Sequence, residues 1–140
     1  FQSHKMIPMV LYAVLSVVYF LLLCHFTKYL EIDENGVRNR FLWKSYNELS
    51  WDKIQEVGIA NMKVMKNAER TKVGELYLYF SPVSMTEKER FHMCLNWPPK
   101  EKRYMRYSVK RLKAVQKYWE EKPVFAWLKE EAYLDRYFRR

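Results

Sequence analysis

Three glycines in 140 residues leave no material for a phosphate-cradling loop, which needs flexible positions to bring backbone N–H groups up to an anion. Two cysteines are too few for a disulfide framework. Cys24 falls in an apolar run and Cys94 in an expected strand, so no pairing between them is expected. The three histidines are His4, His25 and His92, and no CxxC or HxxxH spacing supplies even a pair of the four ligands that a tetrahedral zinc site requires. His92 and Cys94 come nearest to a metal pair, since residues two apart share one face of a strand. A Cys-His nucleophile at Cys24-His25 or His92-Cys94 lacks a recognisable third member and an oxyanion donor. No metal and no cofactor are therefore expected, and an enzyme is the reading with least support. Repeats and low-complexity tracts are absent as well.

Charge is missing from one long stretch, Met6 to Thr27 (MIPMVLYAVLSVVYFLLLCHFT), which lies between Lys5 and Lys28. At 1.5 Å per residue a helix of this length reaches about 33 Å, against roughly 30 Å of bilayer hydrocarbon. The run reads as a transmembrane helix over residues 6–27. A core helix suits a shorter apolar segment with one apolar stripe, whereas this segment is apolar all round. Tyr12, Ser16 and Tyr19 are its polar interruptions, tolerable through a local hydrogen bond or a place near the headgroups. No small-x-small cleavage site follows, which argues against a removed signal peptide, and Leu23 is too large for the residue before a lipid-modified Cys24. Beginning at Phe1 rather than a methionine, the sequence leaves room for an upstream piece, a further span included.

Basic residues set the expected orientation. Lys5 stands alone on one side, while Lys28, Arg38, Arg40 and Lys44 follow within the window over which the positive-inside bias is counted. The expected location is the cell membrane, crossed once, with the bulk of the chain cytoplasmic. Of the 25 Lys and Arg, all but Lys5 and Lys28 lie beyond residue 28 together with all 16 Asp and Glu, so this part is strongly basic. About 110 residues suffice for one domain with a modest core.

Strand patterns open that domain. Tyr29 to Asp33 and Val37 to Trp43 alternate around the turn signal Glu34-Asn35-Gly36 and predict a hairpin. Tyr46 to Leu49 predicts a third strand, Ile54 to Ile59 a fourth, Glu75 to Phe80 a fifth, Phe91 to Trp97 a sixth and Arg103 to Tyr107 a seventh. Asn61 to Gly74 reads as a long connection, and Met85 to Glu89 as a helical turn. Trp51 is the expected core anchor at the corner before the fourth strand. Ser108 then serves as N-cap of a helix over Val109 to Glu121, with Leu112, Val115 and Trp119 on one face, and Trp51 and Trp119 are both expected to be buried. Lys122-Pro123 ends it, and Val124 to Arg139 predicts a second, broadly apolar helix.

The order of seven short strands and an amphipathic helix resembles the pleckstrin-homology (PH) superfold. The segments YLEIDENGV at Tyr29 to Val37, LSWDKIQEV at Leu49 to Val57 and RYMRYSVKRLKAVQKYW at Arg103 to Trp119 are similar to bacterial PH-like proteins of Gram-positive organisms, which place such a domain after one or two membrane spans. The resemblance implies a mainly β fold, a two-sheet barrel of about seven strands capped by a helix. Preceded by the span and followed by an extra helix, it gives a PH-like domain over residues 28–122 and a C-terminal helix over 123–140. That last helix lies outside the PH pattern and is open to a homodimer contact or a brace. Phosphoinositide sites in the superfold use basic residues around the first hairpin; the Asp33-Glu34-Asn35-Gly36 loop here is acidic, although Arg38 and Arg40 share a face.

A denser basic group follows. Lys100, Lys102, Arg103, Arg106, Lys110, Arg111 and Lys113 fall within 14 residues opposed only by Glu101, and Lys63, Lys66, Arg70 and Lys72 make a second group. Near an anionic leaflet each such charge contributes about 1 kcal/mol, fading over a Debye length of about 8 Å. The expected role is a membrane-anchored, cytoplasmic PH-like binding or scaffolding module without a named ligand, with anionic lipid or a protein as partner at this cluster. The bland alternative is a solvated surface. Tyr104 and Tyr107 interleave the cluster in the manner of single-strand binders but read as core-facing. A soluble basic β-domain that binds nucleic acid is the runner-up.

Overall fold

A computed structural model of the chain describes residues 3–62, 73–100 and 103–138. The elements are α1 (Ser3–Phe26), β1 (Lys28–Asp33), β2 (Gly36–Phe41), β3 (Lys44–Ser50), β4 (Glu56–Asn61), β5 (Leu76–Ser81), α2 (Glu87–Leu95), β6 (Arg103–Arg106), α3 (Val109–Gln116), β7 (Val124–Ala126) and α4 (Glu130–Tyr137). The uncharged run is α1, long and apolar enough to cross a membrane. Side chains from Lys5 to Leu23 are all exposed, so among the described residues none buries them. Ser16 donates to the Tyr12 carbonyl at 2.8 Å, which satisfies its hydroxyl within the helix.

Strands β1, β2 and β3 form an antiparallel meander. Its first turn is made by Asp33, whose Oδ1 accepts from the N–H of Asn35 at 2.9 Å and of Gly36 at 3.2 Å. Gly36 sits at φ +150°, and a Cβ there would lie 2.2 Å from the Leu49 carbonyl oxygen, so only glycine fits between the two strands. A second sheet has the order β6-β5-β4-β7, antiparallel except for β7, which runs parallel to β4.

Alternation along β4 and β5 sorts residues into two layers. Val57, Ile59, Leu76, Leu78 and Phe80 join Val37, Leu49, Leu112 and Val115 in the main core, reached also by Tyr133 of α4. Ala60 and Tyr79 face the other way and pack with Met93 and Cys94 of α2 and with Ala126. The domain is therefore layered, with α2 on one face of the four-stranded sheet. The other face meets the three-stranded sheet, α3 and α4. Strand pairing does not run from one sheet into the other, so no closed barrel is found among the described residues.

Two expected elements are corrected. Phe91 to Trp97, read as a strand, lies mostly in α2. Thr86 accepts from the Glu89 N–H at 3.3 Å while the Glu89 carboxylate accepts from the Thr86 N–H at 2.6 Å, a reciprocal cap that commits the segment to a helix. His92 and Cys94 consequently do not share a face: His92 is exposed and Cys94 is buried. Val124, expected to open a long helix, instead starts β7. Pairing Gly58 with Val124, Ile59 with Phe125 and Ala60 with Ala126 satisfies backbone groups at the β4 edge, which outweighs local helical periodicity. The helix follows only at α4, and α3 ends at Gln116 rather than Glu121.

Trp51 joins the layers. Its indole N–H donates to the Asp33 carbonyl at 2.8 Å, and its ring stacks on Tyr118 and meets Phe80 edge-on at centroid distances of 5.6 and 6.2 Å. Trp51 and Trp119 are half-buried against the main core rather than sealed in it. Trp51→Ala is expected to lower unfolding free energy by about 3 kcal/mol, the low end for a truncated core aromatic. Urea unfolding followed by far-UV circular dichroism reads the shift.

Candidate functional site

The junction between α1 and β1 sets where any surface of the domain can act. Thr27 alone separates Phe26 from Lys28. Its N–H donates to the Leu23 carbonyl at 3.0 Å and its hydroxyl to the Cys24 carbonyl at 3.1 Å, so the last turn of α1 closes directly onto the strand. No flexible linker intervenes. The sheet begins at the end of the apolar helix.

The basic cluster from Lys100 to Lys113 does not form one uniform patch. Lys102, like Lys63, Lys66, Arg70 and Lys72 of the second group, lies outside the described residues. Arg103 donates from Nε to the Asn47 carbonyl of β3 at 2.7 Å, linking the two sheets, and burial lowers its pKa from the ordinary value. Three residues on, Arg106 projects from the opposite face of β6, 71% exposed, and pairs with Glu75 at 3.6 Å. Arg111 donates to the Arg106 carbonyl at 2.7 Å and ties α3 to the end of β6. Lys110 and Lys113 are exposed on α3, and Lys100 is exposed after Pro99, lining a groove with Glu89, His92 and Asn96. Three arginines thus have structural partners, and the three described lysines carry their charge into solvent. Of the interleaved tyrosines, Tyr107 is buried with its hydroxyl 2.7 Å from that of Tyr133, whereas Tyr104 stands on the outer face beside Tyr77 and Trp97.

The first hairpin is also paired internally. Arg38 reaches Glu31 at 2.8 Å and Asp33 at 2.6 Å, and Arg40 reaches Glu31 at 3.0 Å. Hydrogen bonds from Arg38 and then Arg40 hold the Glu31 carboxyl below its ordinary range. An anionic headgroup would have to displace these carboxylates to reach either guanidinium.

A buried charge pair escaped the sequence reading. Glu56, 3% exposed on β4, accepts from Arg90 Nε at 2.9 Å, Arg90 Nη2 at 3.0 Å, the Met85 N–H at 2.9 Å and the Tyr79 hydroxyl at 2.6 Å. Burial alone would raise its pKa; the bonds from Arg90, Met85 and Tyr79 outweigh that and hold it down. Gly58 makes the arrangement fit, because a Cβ there would lie 2.3 Å from the Tyr79 ring and hydroxyl. With four donors on one carboxylate, this group fastens α2 and the segment before it to the sheet. Its only sequence signal was a carboxylate, Glu56, immediately before the apolar residues Val57 to Ala60. Cys94 lies on the buried side of the same helix, where burial pushes its thiol up to about 11, away from nucleophilic use at neutral pH. Among the described residues no three His, Cys, Asp or Glu side chains converge as metal ligands.

No family model, curated protein or solved structure matches this chain.

Proposed function

We propose that the chain is a single-pass membrane protein whose basic two-sheet domain acts at the cytoplasmic face as a binding or scaffolding module for an anionic membrane surface. The observation that carries this reading is the α1–β1 junction, where one hydrogen-bonded residue separates an apolar helix, exposed from Lys5 to Leu23, from the first strand of a basic domain. A domain joined so closely stays near the headgroups, within reach of a potential that fades over about 8 Å. Lys100, Lys110 and Lys113 are the exposed cluster members available for such contact, with Arg106 beside them in sequence.

The PH-like resemblance supports a binding role: six strands in two sheets before the Ser108-capped α3, together with the Trp51 corner, are compatible with it. Helix α2 between β5 and β6, and the parallel β7, depart from it. The paired state of Arg38 and Arg40 also speaks against the headgroup site found near the first hairpin in other members. The role therefore rests on where the domain is held and on its charge.

Neither core cluster contains a residue of α1, so residues 28–140 retain both cores when separated from it. Bound to vesicles containing phosphatidylserine, this fragment is expected to dissociate as salt rises from low to physiological strength. Replacing Lys100, Lys110 and Lys113 together by glutamine is expected to remove the order of 3 kcal/mol of binding free energy, at about 1 kcal/mol per charge near the surface. Sedimentation with the vesicles measures both. Equal binding to neutral phosphatidylcholine vesicles, or none at low salt, would overturn the anionic-surface role.

A further inference from the structure

The turn between β2 and β3 presents apolar side chains at the end of the domain where α1 joins it. Lys28, the first residue of β1, pairs with Phe41, the last of β2, and Phe41 pairs in turn with Lys44. Leu42 and Trp43 close the hairpin between them. They lie one strand step beyond Lys28, level with Thr27, because paired residues sit side by side and each step is about 3.3 Å. Trp43 is 78% exposed, Leu42 is exposed beside it, and Lys44 follows, also exposed. The nearby Tyr29 is exposed as well.

Backbone conformation adds a second reason to single out this tip. Leu42 takes φ +52°, the left-handed region where glycine or asparagine serves at least cost in a two-residue hairpin turn. Leucine there is strained, because its Cβ crowds the following carbonyl, and it contributes no packing to either core. A large apolar pair kept in a strained turn, uncovered by its own chain, fits a role outside the domain.

We propose that the Leu42-Trp43 tip is a second membrane contact, seated in the headgroup layer of the bilayer that α1 crosses. The indole lies at the interface and Lys44 reaches toward lipid phosphates. The proposal rests on the reading of α1 as a span. Continuity with that span selects lipid as the occupant, since the tip lies level with the residue at which the helix leaves the hydrocarbon. Amphipathic indoles favour that depth, and a flanking lysine can keep its ammonium among the headgroups. Two attachments, the helix and the tip, would fix the rotation of the domain about α1. The surface it offers to a partner would then be constant.

The test uses the full chain reconstituted into phosphatidylcholine vesicles whose acyl chains carry bromine near the headgroup end. Bromine quenches only tryptophans seated in the bilayer, and the other four, Trp51, Trp97, Trp119 and Trp127, are half-buried within the domain. The wild-type chain is expected to lose a distinct fraction of its emission to the brominated lipid. Trp43→Phe, which keeps an aromatic side chain, is expected to abolish most of that loss, and Trp43→Ser to abolish it with an unchanged circular dichroism spectrum. Equal quenching of wild type and Trp43→Phe in chains that float with the vesicles would overturn the tip contact and leave the span intact. Protection of Trp43 from iodide without bromine quenching would also overturn it, in favour of a second copy covering the tip. A chain that fails to float with the vesicles after an alkaline wash would remove the span and the tip contact together.

Discussion

Replacing Leu15 and Val18 by arginine is expected to stop α1 from inserting. Both are exposed on the uncovered helix, so neither change disturbs a core residue of the domain. Each arginine near the centre of a span costs about 2.5–3.5 kcal/mol on insertion scales, and the pair lies one turn apart on one side of the helix. The combined penalty exceeds what the remaining leucines, valines and phenylalanines return at roughly 0.3–0.6 kcal/mol each at the centre, fewer still near the ends. Translation in the presence of microsomes, with acceptor sites for glycosylation on either side of α1, reads the inserted fraction. Insertion equal to wild type would mean that the segment does not rely on apolarity to hold its place. Because Trp51, Glu56 and both core clusters lie outside α1, the released variant is expected to keep the domain's β-rich circular dichroism.

The second large effect is expected at the buried charge. Glu56→Ala removes the acceptor for Arg90, the Tyr79 hydroxyl and the Met85 N–H at once, and leaves a guanidinium uncompensated beneath α2. Breaking a buried pair on one side costs about 3–5 kcal/mol, a large share of the 5–15 kcal/mol that holds a typical domain together. Denaturant unfolding measures the loss. The same carboxylate ties stability to pH, and its sign follows from the depressed folded pKa. Unfolded, Glu56 titrates near its ordinary 4.5; folded, it titrates lower, because Arg90, Met85 and Tyr79 outweigh burial. Its contribution is complete above 4.5 and is lost as pH falls toward the folded value, where folding must proceed with the group protonated. Glu56→Gln, neutral at every pH, is expected to be less stable than wild type at pH 7 and to lose less stability between pH 5 and 3. Parallel acid profiles for the two chains would contradict the lock. Gly58→Ala strikes the same place by sterics, since the new Cβ meets the Tyr79 ring that carries the hydroxyl.

How much could be read beforehand depended on how local the determinants are. The apolar run from Met6 to Phe26 lies in one helix because its length and all-round apolarity outweigh the single proline, Pro8, near its start. Asp33 to Gly36 declared its turn through side chains that bond backbone within three residues, and Ser108 capped α3 through the Arg111 N–H at 3.1 Å. Segment 91–97 misled because Phe91, Met93, Leu95 and Trp97 alternate with period two. The cap at Thr86 and Glu89, which decides for a helix, precedes the run. Val124 to Ala126 form a strand only because the β4 edge, more than 60 residues back, needs a partner. Arg103 finds its carbonyl on Asn47, 56 residues away, and so cannot be distinguished by spacing from Lys110 or Lys113, which stay in solvent. Charge density was legible, and the division of those charges into structural ties and exposed lysines was not. The tip at Leu42 and Trp43 read as the tail of a strand; its position level with Thr27 emerges only from the register of three strands.

Alkaline carbonate extraction of membranes carrying the full chain tests most directly whether α1 holds the domain to the bilayer. Carbonate strips proteins bound by charge or by other proteins, whereas a chain with 22 uncharged residues threaded through the hydrocarbon is expected to stay with the pellet and to leave it only in detergent. Recovery of the unmodified chain in the carbonate supernatant as a monodisperse monomer would contradict a membrane-anchored module and return α1 to the interior of a soluble assembly.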